Sequence, residues 1–122
     1  MRQWRFILPY PPTVNHYWKW TRTGVTLRDE GDRYRDLVTM VLKTQKLRLR
    51  LTGRLAIEIV CEPPDRRRRD LDNILKATLD SLMHGGMVRD DEQFDLLMVR
   101  RGNPVPGGRL GIVVSEIDTE RD

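Results

Sequence analysis

The spacing of hydrophobic and polar positions changes several times along this chain, and each change marks an element. Residues 3–8, Gln-Trp-Arg-Phe-Ile-Leu, set large apolar side chains against polar ones and predict a first strand. Pro9, Pro11 and Pro12 end it, because proline cannot go on donating to a ladder. From Thr13 to Gly24 neither a helical nor a strand period holds, which predicts an irregular loop. With Thr26 as candidate cap, a helix is expected from about Leu27 to Leu47, where Tyr34, Leu37, Val38, Val41 and Leu42 recur at helical spacing on one buried face. Alternation returns over Arg54–Glu62: Leu55, Ile57, Ile59 and Cys61 form a core face, and Pro63-Pro64 stops the strand.

A second helix begins near Asp70. Leu71, Ile74, Leu75, Thr78, Leu79 and Leu82 fall on one face, while Asp72, Lys76 and Asp80 fall together on the other with Asn73 nearby. Gly85-Gly86 provides the stop, and Met87-Val88 a short apolar return to the core. Phe94, Leu96 and Met98 alternate through a third strand to about Arg101. A turn-rich loop, Gly102 to Gly108, leads to a fourth strand over Arg109–Ile117 with Leu110, Ile112 and Val114 inward, and the last five residues predict a frayed tail. The order β-α-β-α-β-β predicts an α/β (α+β) fold: one domain over residues 1–122, a small mixed β-sheet with two helices packed on one face.

Composition narrows the function classes. The hydrophobic fraction of 39% and charged fraction of 33% fit a polar globular protein, with no apolar run near the roughly 20 residues of a membrane span. No signal peptide is expected, and the single Cys61 excludes an internal disulfide framework, so a cytoplasmic setting is expected. One Cys and two His (His16 and His84) do not make an ordinary zinc site. Net charge is only +4, but 18 of 22 cations are arginine, whose planar fork matches phosphate oxygens. Likewise 12 of 18 acids are aspartate, a residue of caps, turns and metal sites.

The chemistry concentrates in Asp65 to Asp91, DRRRRDLDNILKATLDSLMHGGMVRDD. Arg66, Arg67, Arg68 and Arg69 run straight into Asp70, Leu71, Asp72 and Asn73, and Asp90-Asp91 stands just past the glycine stop. Phosphodiester hydrolysis needs an activated water, charge relief on the non-bridging oxygens and a stabilised leaving group, all of which Mg²⁺ can supply on a few carboxylates. Asp70, Asp72 and Asp91 are therefore the candidate ligands, and Lys76 a candidate charge partner for the scissile phosphate. Asp70 and Asp72 can face one ion only while the backbone between them is not yet fully helical. Each residue also has an ordinary account: Asp70 as an N-cap, Asp72 as a first-turn anion or a partner of Lys76, Asp90-Asp91 as a turn, the arginines as a solvated loop. In the loop at 13–24, Asn15, His16, Tyr17 and Lys19 are candidate DNA contacts with the arginine run and Asn73. The alternative is that Tyr17, Trp18 and Trp20 cover the edge of the core.

At these positions the sequence resembles the RusA family of Holliday junction resolvases. Asp65 through Asn73, then Lys76, Asp80, Leu82 and Asp90-Asp91, look like its signature, and Leu8-Pro-Tyr-Pro-Pro12 with Asn15 and Tyr17 looks like its opening. The resemblance implies a homodimeric α/β endonuclease of bacteria and their prophages, making paired symmetric nicks in four-way DNA junctions with Mg²⁺ or Mn²⁺. It assigns the acidic catalytic and metal positions to Asp70, Asp72 and Asp91 and the essential lysine to Lys76. Two cuts related by two-fold symmetry give dimerisation a physical motive. Rival readings are a nuclease for other branched DNA and a non-catalytic junction-binding protein.

Overall fold

The computed structural model describes residues 2–117, and for Val14 and Asn15 the backbone only. The expected frayed tail, residues 118–122, lies outside the described residues. The elements in order are β1 (Gln3–Pro9), a single helical turn α1 (Val14–Tyr17), β2 (Trp18–Thr21), β3 (Gly24–Leu27), α2 (Asp29–Thr44), β4 (Leu55–Glu62), a 3₁₀ turn at Leu71–Ile74, α3 (Leu75–His84), a 3₁₀ turn at Asp91–Gln93, β5 (Phe94–Arg101) and β6 (Arg109–Glu116).

Four strands form one mixed sheet in the order β1-β6-β4-β5. β6 pairs antiparallel with both β1 and β4, while β4 and β5 run parallel. A parallel pair needs a crossover, and α3 with its two flanking 3₁₀ turns supplies it. Leu55, Ile57, Ile59 and Cys61 of β4, Phe6 and Leu8 of β1, and Leu110, Ile112 and Val114 of β6 are buried in one cluster with Tyr34, Val38 and Leu42 of α2 and Ala77 and Leu82 of α3. The mixed sheet with two helices on one face, expected from the periods, is thus observed.

The element order departs from expectation in one place. The segment expected to be an irregular loop folds into α1 and a two-stranded hairpin, β2–β3, in a sheet of its own. Its period was hidden because the strands are four residues each and only one end of the hairpin packs on the core. The helix after it is correspondingly shorter than Leu27–Leu47 and starts at Asp29, with Arg28 rather than Thr26 at its N-cap.

Three further placements differ from the pattern, of which the first is Leu37: expected on the buried face of α2, it is about half exposed. Leu96 and Met98 of β5, which alternate as core residues would, stay about half exposed, since β5 is an edge strand and their register places them beside Ala56 and Glu58 on the face away from the helices. Asp80, on the predicted polar face of the second helix, is buried, because α1 and α2 cover that side of α3. Gly85-Gly86 ends α3 as expected: Gly86 takes φ +91°, and the amide of Met87 reaches back to the carbonyl of Leu82 at 3.0 Å. Met87 and Val88 return to the core.

Candidate active site

The backbone requirement for Asp70 and Asp72 is met. Asp70 is extended (φ −87°, ψ 137°), and Leu71–Ile74 is a 3₁₀ turn rather than a turn of α-helix. Asp70 stands at the N-cap position without using its side chain as a cap. Asp72 is exposed, and among the described residues it makes no ion pair with Lys76. By contrast Asp90 is a working cap: it accepts from the Glu92 amide at 3.0 Å and forms a capping box with Gln93.

Gln93 fixes the acidic turn. Its buried side-chain carbonyl accepts from the amides of Arg89 (2.9 Å) and Asp90 (2.8 Å), and its amide donates to the carbonyls of Leu51 and Gly53, both at 2.9 Å. All the hydrogen-bonding capacity of a buried amide is used to seat the turn that carries Asp91. Arg54 binds Glu92 and Asp95, and Asp91 is left without an ion-pair partner among the described residues. Asp91 is half-buried, and its carboxyl is pushed up from its ordinary value, first by burial and then by the neighbouring Asp90; Lys76 opposes the rise and Asp80 adds to it. These influences place Lys76, Asp80, Asp90 and Asp91 in one electrostatic neighbourhood, on packed contacts between α3 and the 91–93 turn. The 71–74 turn, for its part, adjoins β5.

Asp80 is committed elsewhere. Its carboxylate takes both donors of the Arg35 fork, Nε at 2.8 Å and Nη2 at 3.0 Å, and accepts a short hydrogen bond from the Tyr17 hydroxyl. Burial, and next the Asp80 bond, push the Tyr17 hydroxyl up to about 12. Tyr17, expected to contact DNA, is fully buried; it joins the base of the hairpin to α3 instead.

In the arginine run, Arg66, Arg67 and Arg68 are exposed. Arg69 is braced by Asp65 at 2.7 Å and lies over the Tyr10 ring at 6.0 Å. Asp65 also accepts from the Arg67 amide at 2.9 Å, and the Arg69 guanidinium and then this amide hold its carboxyl down at about 2. Asp65 thus shapes the run, a role that reading the arginines alone missed. Asn73 is half-buried in the 3₁₀ turn, His16 and Lys19 are exposed, and the side chain of Asn15 lies outside the described residues.

Among the described residues no three His, Cys, Asp or Glu side chains form a ready-made metal cage. The donor chemistry nevertheless fits a hard divalent ion. Asp70, Asp72 and Asp91 are oxygen donors without a cationic partner, Asp91 stands in a field that disfavours its charge, and Mg²⁺ usually takes only one or two carboxylates beside water and phosphate.

Partner-free carboxylates beside a bank of guanidinium groups, on a mixed α/β frame, are the equipment of a protein that acts on phosphodiesters. The chain belongs to the RusA endodeoxyribonuclease family, whose model (endodeoxyribonuclease RusA) matches residues 9–115. It is 47% identical over 119 residues to the crossover junction endodeoxyribonuclease of Enterobacteria phage HK97, covering 98% of this chain and 99% of that one. It is 38% identical over 120 residues to the crossover junction endodeoxyribonucleases RusA of Shigella sonnei and of Escherichia coli K12, covering 98% of this chain and all of each relative. No helix among the described residues is long and apolar enough to cross a membrane.

Proposed function

We propose that this protein is a Mg²⁺-dependent, structure-selective endodeoxyribonuclease that resolves Holliday junctions by paired symmetric nicks in DNA recombination and repair, with Mn²⁺ able to replace Mg²⁺. The observation that carries the reading is the division of labour among the acids. Within the stretch from Asp65 to Asp95, Asp65, Asp80, Glu92 and Asp95 are held by arginines and Asp90 caps a turn, whereas Asp70, Asp72 and Asp91 have no cationic partner among the described residues. Asp29, Asp32, Asp36 and Glu58, which also make no ion pair among the described residues, lie outside this stretch on α2 and β4. Carboxylates kept free of partners beside a basic run fit residues reserved for an ion and a substrate phosphate. The activity for which the relatives are named suggests the substrate: a crossover junction in DNA.

Asp70, Asp72 and Asp91 would hold the ion, which when bound relieves charge on the phosphate and acidifies a water. Lys76, which already acts on Asp91, offsets the negative field that a phosphate must enter. Arg66, Arg67 and Arg68 bind backbone phosphates from solvent, and Arg69 offers a guanidinium pre-oriented by Asp65. Asn73, Asn15, His16 and Lys19 would make further contacts to the DNA. The protein works as a homodimer in the cytoplasm. A surface that would suit a second copy is the sheet face away from the helices, where apolar Ile7, Val60 and Met98 lie among Arg5, Arg100 and Glu58.

Cutting of a mobile four-way junction and of a linear duplex of the same sequence, with and without Mg²⁺, tests the reading. Paired nicks on the junction alone, dependent on the ion and made by a species that sediments as a dimer, are expected. Equal rates on the linear duplex would remove the structure-selective claim.

A further inference from the structure

The hairpin β2–β3 uses only half of its apolar face. Trp18 pairs with Leu27 and Trp20 with Val25, so the four side chains share one face. Trp18 and Leu27, at the base, pack on the core. Trp20 and Val25, toward the turn, stand in solvent, and Trp20 is 83% exposed, the most exposed large apolar residue described. Two side chains are far too small an area for a stable protein interface.

An isolated two-stranded hairpin is marginal in water, yet this one is firmly held at its base. The Arg28 amide donates to the Tyr17 carbonyl at 2.9 Å, and Arg28 Nε donates to the Trp18 carbonyl at 3.0 Å. Gly31 lies so close that a Cβ there would stand 2.5 Å from the Tyr17 carbonyl oxygen. Arg35 places its guanidinium 5.8 Å from the Trp18 ring while gripping Asp80, which also takes the Tyr17 hydroxyl. The base of the hairpin is therefore fastened to α3, the helix whose Lys76 and Asp80 act on Asp91. The tip is carried at a set position relative to the acidic turn. Between Thr13 and Arg28 there is no carboxylate, against Lys19, Arg22 and Arg28.

We propose that Trp20 is a base-stacking finger that receives an unstacked base at the branch point of the bound DNA, while Lys19, Arg22 and Arg28 take the flanking phosphates. An indole in solvent on a hairpin whose own residues include cations and no acid suits a polyanion with exposed π faces. In a continuous duplex every base face is already stacked, so the finger has a partner only where the stack is interrupted. Trp20 thereby becomes a residue that distinguishes branched from unbranched DNA. The identity of the DNA rests on the proposed function; the stacking itself does not.

The test uses the full chain without divalent ion, so that no cutting intervenes, and a four-way junction carrying 2-aminopurine at the branch. Trp20→Ala is expected to weaken junction binding about 5- to 150-fold, the range that one base–aromatic stack commands. It should also abolish the 2-aminopurine response and lower the ratio of junction to duplex affinity. Trp20→Phe should restore most of each. The slope of log affinity against log salt should stay unchanged, because no phosphate contact is removed. Trp20→Ala binding the junction with wild-type affinity and fluorescence response would overturn the proposal, as would an equal loss on junction and linear duplex. A wild-type protein that never nicks the junction in Mg²⁺ yet shows a Trp20-dependent fluorescence response would defeat the proposed function and leave the finger standing.

Discussion

At the scale of single residues, the protein sorts aspartates by what surrounds them. Asp91 is the clearest case. Burial and the neighbouring Asp90 raise its carboxyl above its ordinary value, so its ionised form is disfavoured in the folded protein relative to the unfolded chain. A folded value above the unfolded one means that Asp91 adds stability below the ordinary carboxylate range, and that this contribution is lost as pH rises through the raised value. Asp91→Asn should therefore raise the melting temperature near neutrality, with an advantage that shrinks on acidification; a melting series against pH checks it. The pattern DRRRRDLDN with Asp90-Asp91 made the candidate residues legible from the sequence. What it could not supply was their environment, since the seat of the acidic turn comes from Gln93 reaching Leu51 and Gly53, about forty residues away in the chain.

At the scale of elements, α3 connects the site to the aromatic hairpin through Asp80. Its exposure is 7% at the side chain, and it satisfies Arg35 and Tyr17 together. Asp80→Ala would strand a largely buried guanidinium, at a cost of about 3 kcal/mol. Chemical denaturation should show a lower midpoint with an unchanged slope, and a shift within experimental scatter would contradict the packing described here. The strands and helices that pack on the core were legible, because burial writes its period into β1, β4, β6, α2 and α3. Elements that bury little were not. The β2–β3 hairpin packs only at its base, and the outward alternation of Leu96 and Met98 on the edge strand β5 mimics a core face. Asp80 belongs with these, as its burial depends on α1 and α2 covering a flank of α3 that the helical period alone marks as solvent.

At the scale of the molecule, an open sheet face, an arginine run, a partner-free set of acids and an anchored hairpin are arranged around one crossover, from β4 through α3 to β5. We propose that Asp70, Asp72 and Asp91 are left without partners because they serve the reaction. The most direct measurement is junction cutting in Mg²⁺ by Asp72→Asn, beside its junction affinity without the ion. Asp72 is exposed and makes no ion pair among the described residues, so its amide should fold and melt like the wild type. Cutting should fall by at least about a hundredfold while binding stays within a few-fold. Asp72→Asn that cuts the junction at the wild-type rate would contradict that proposal.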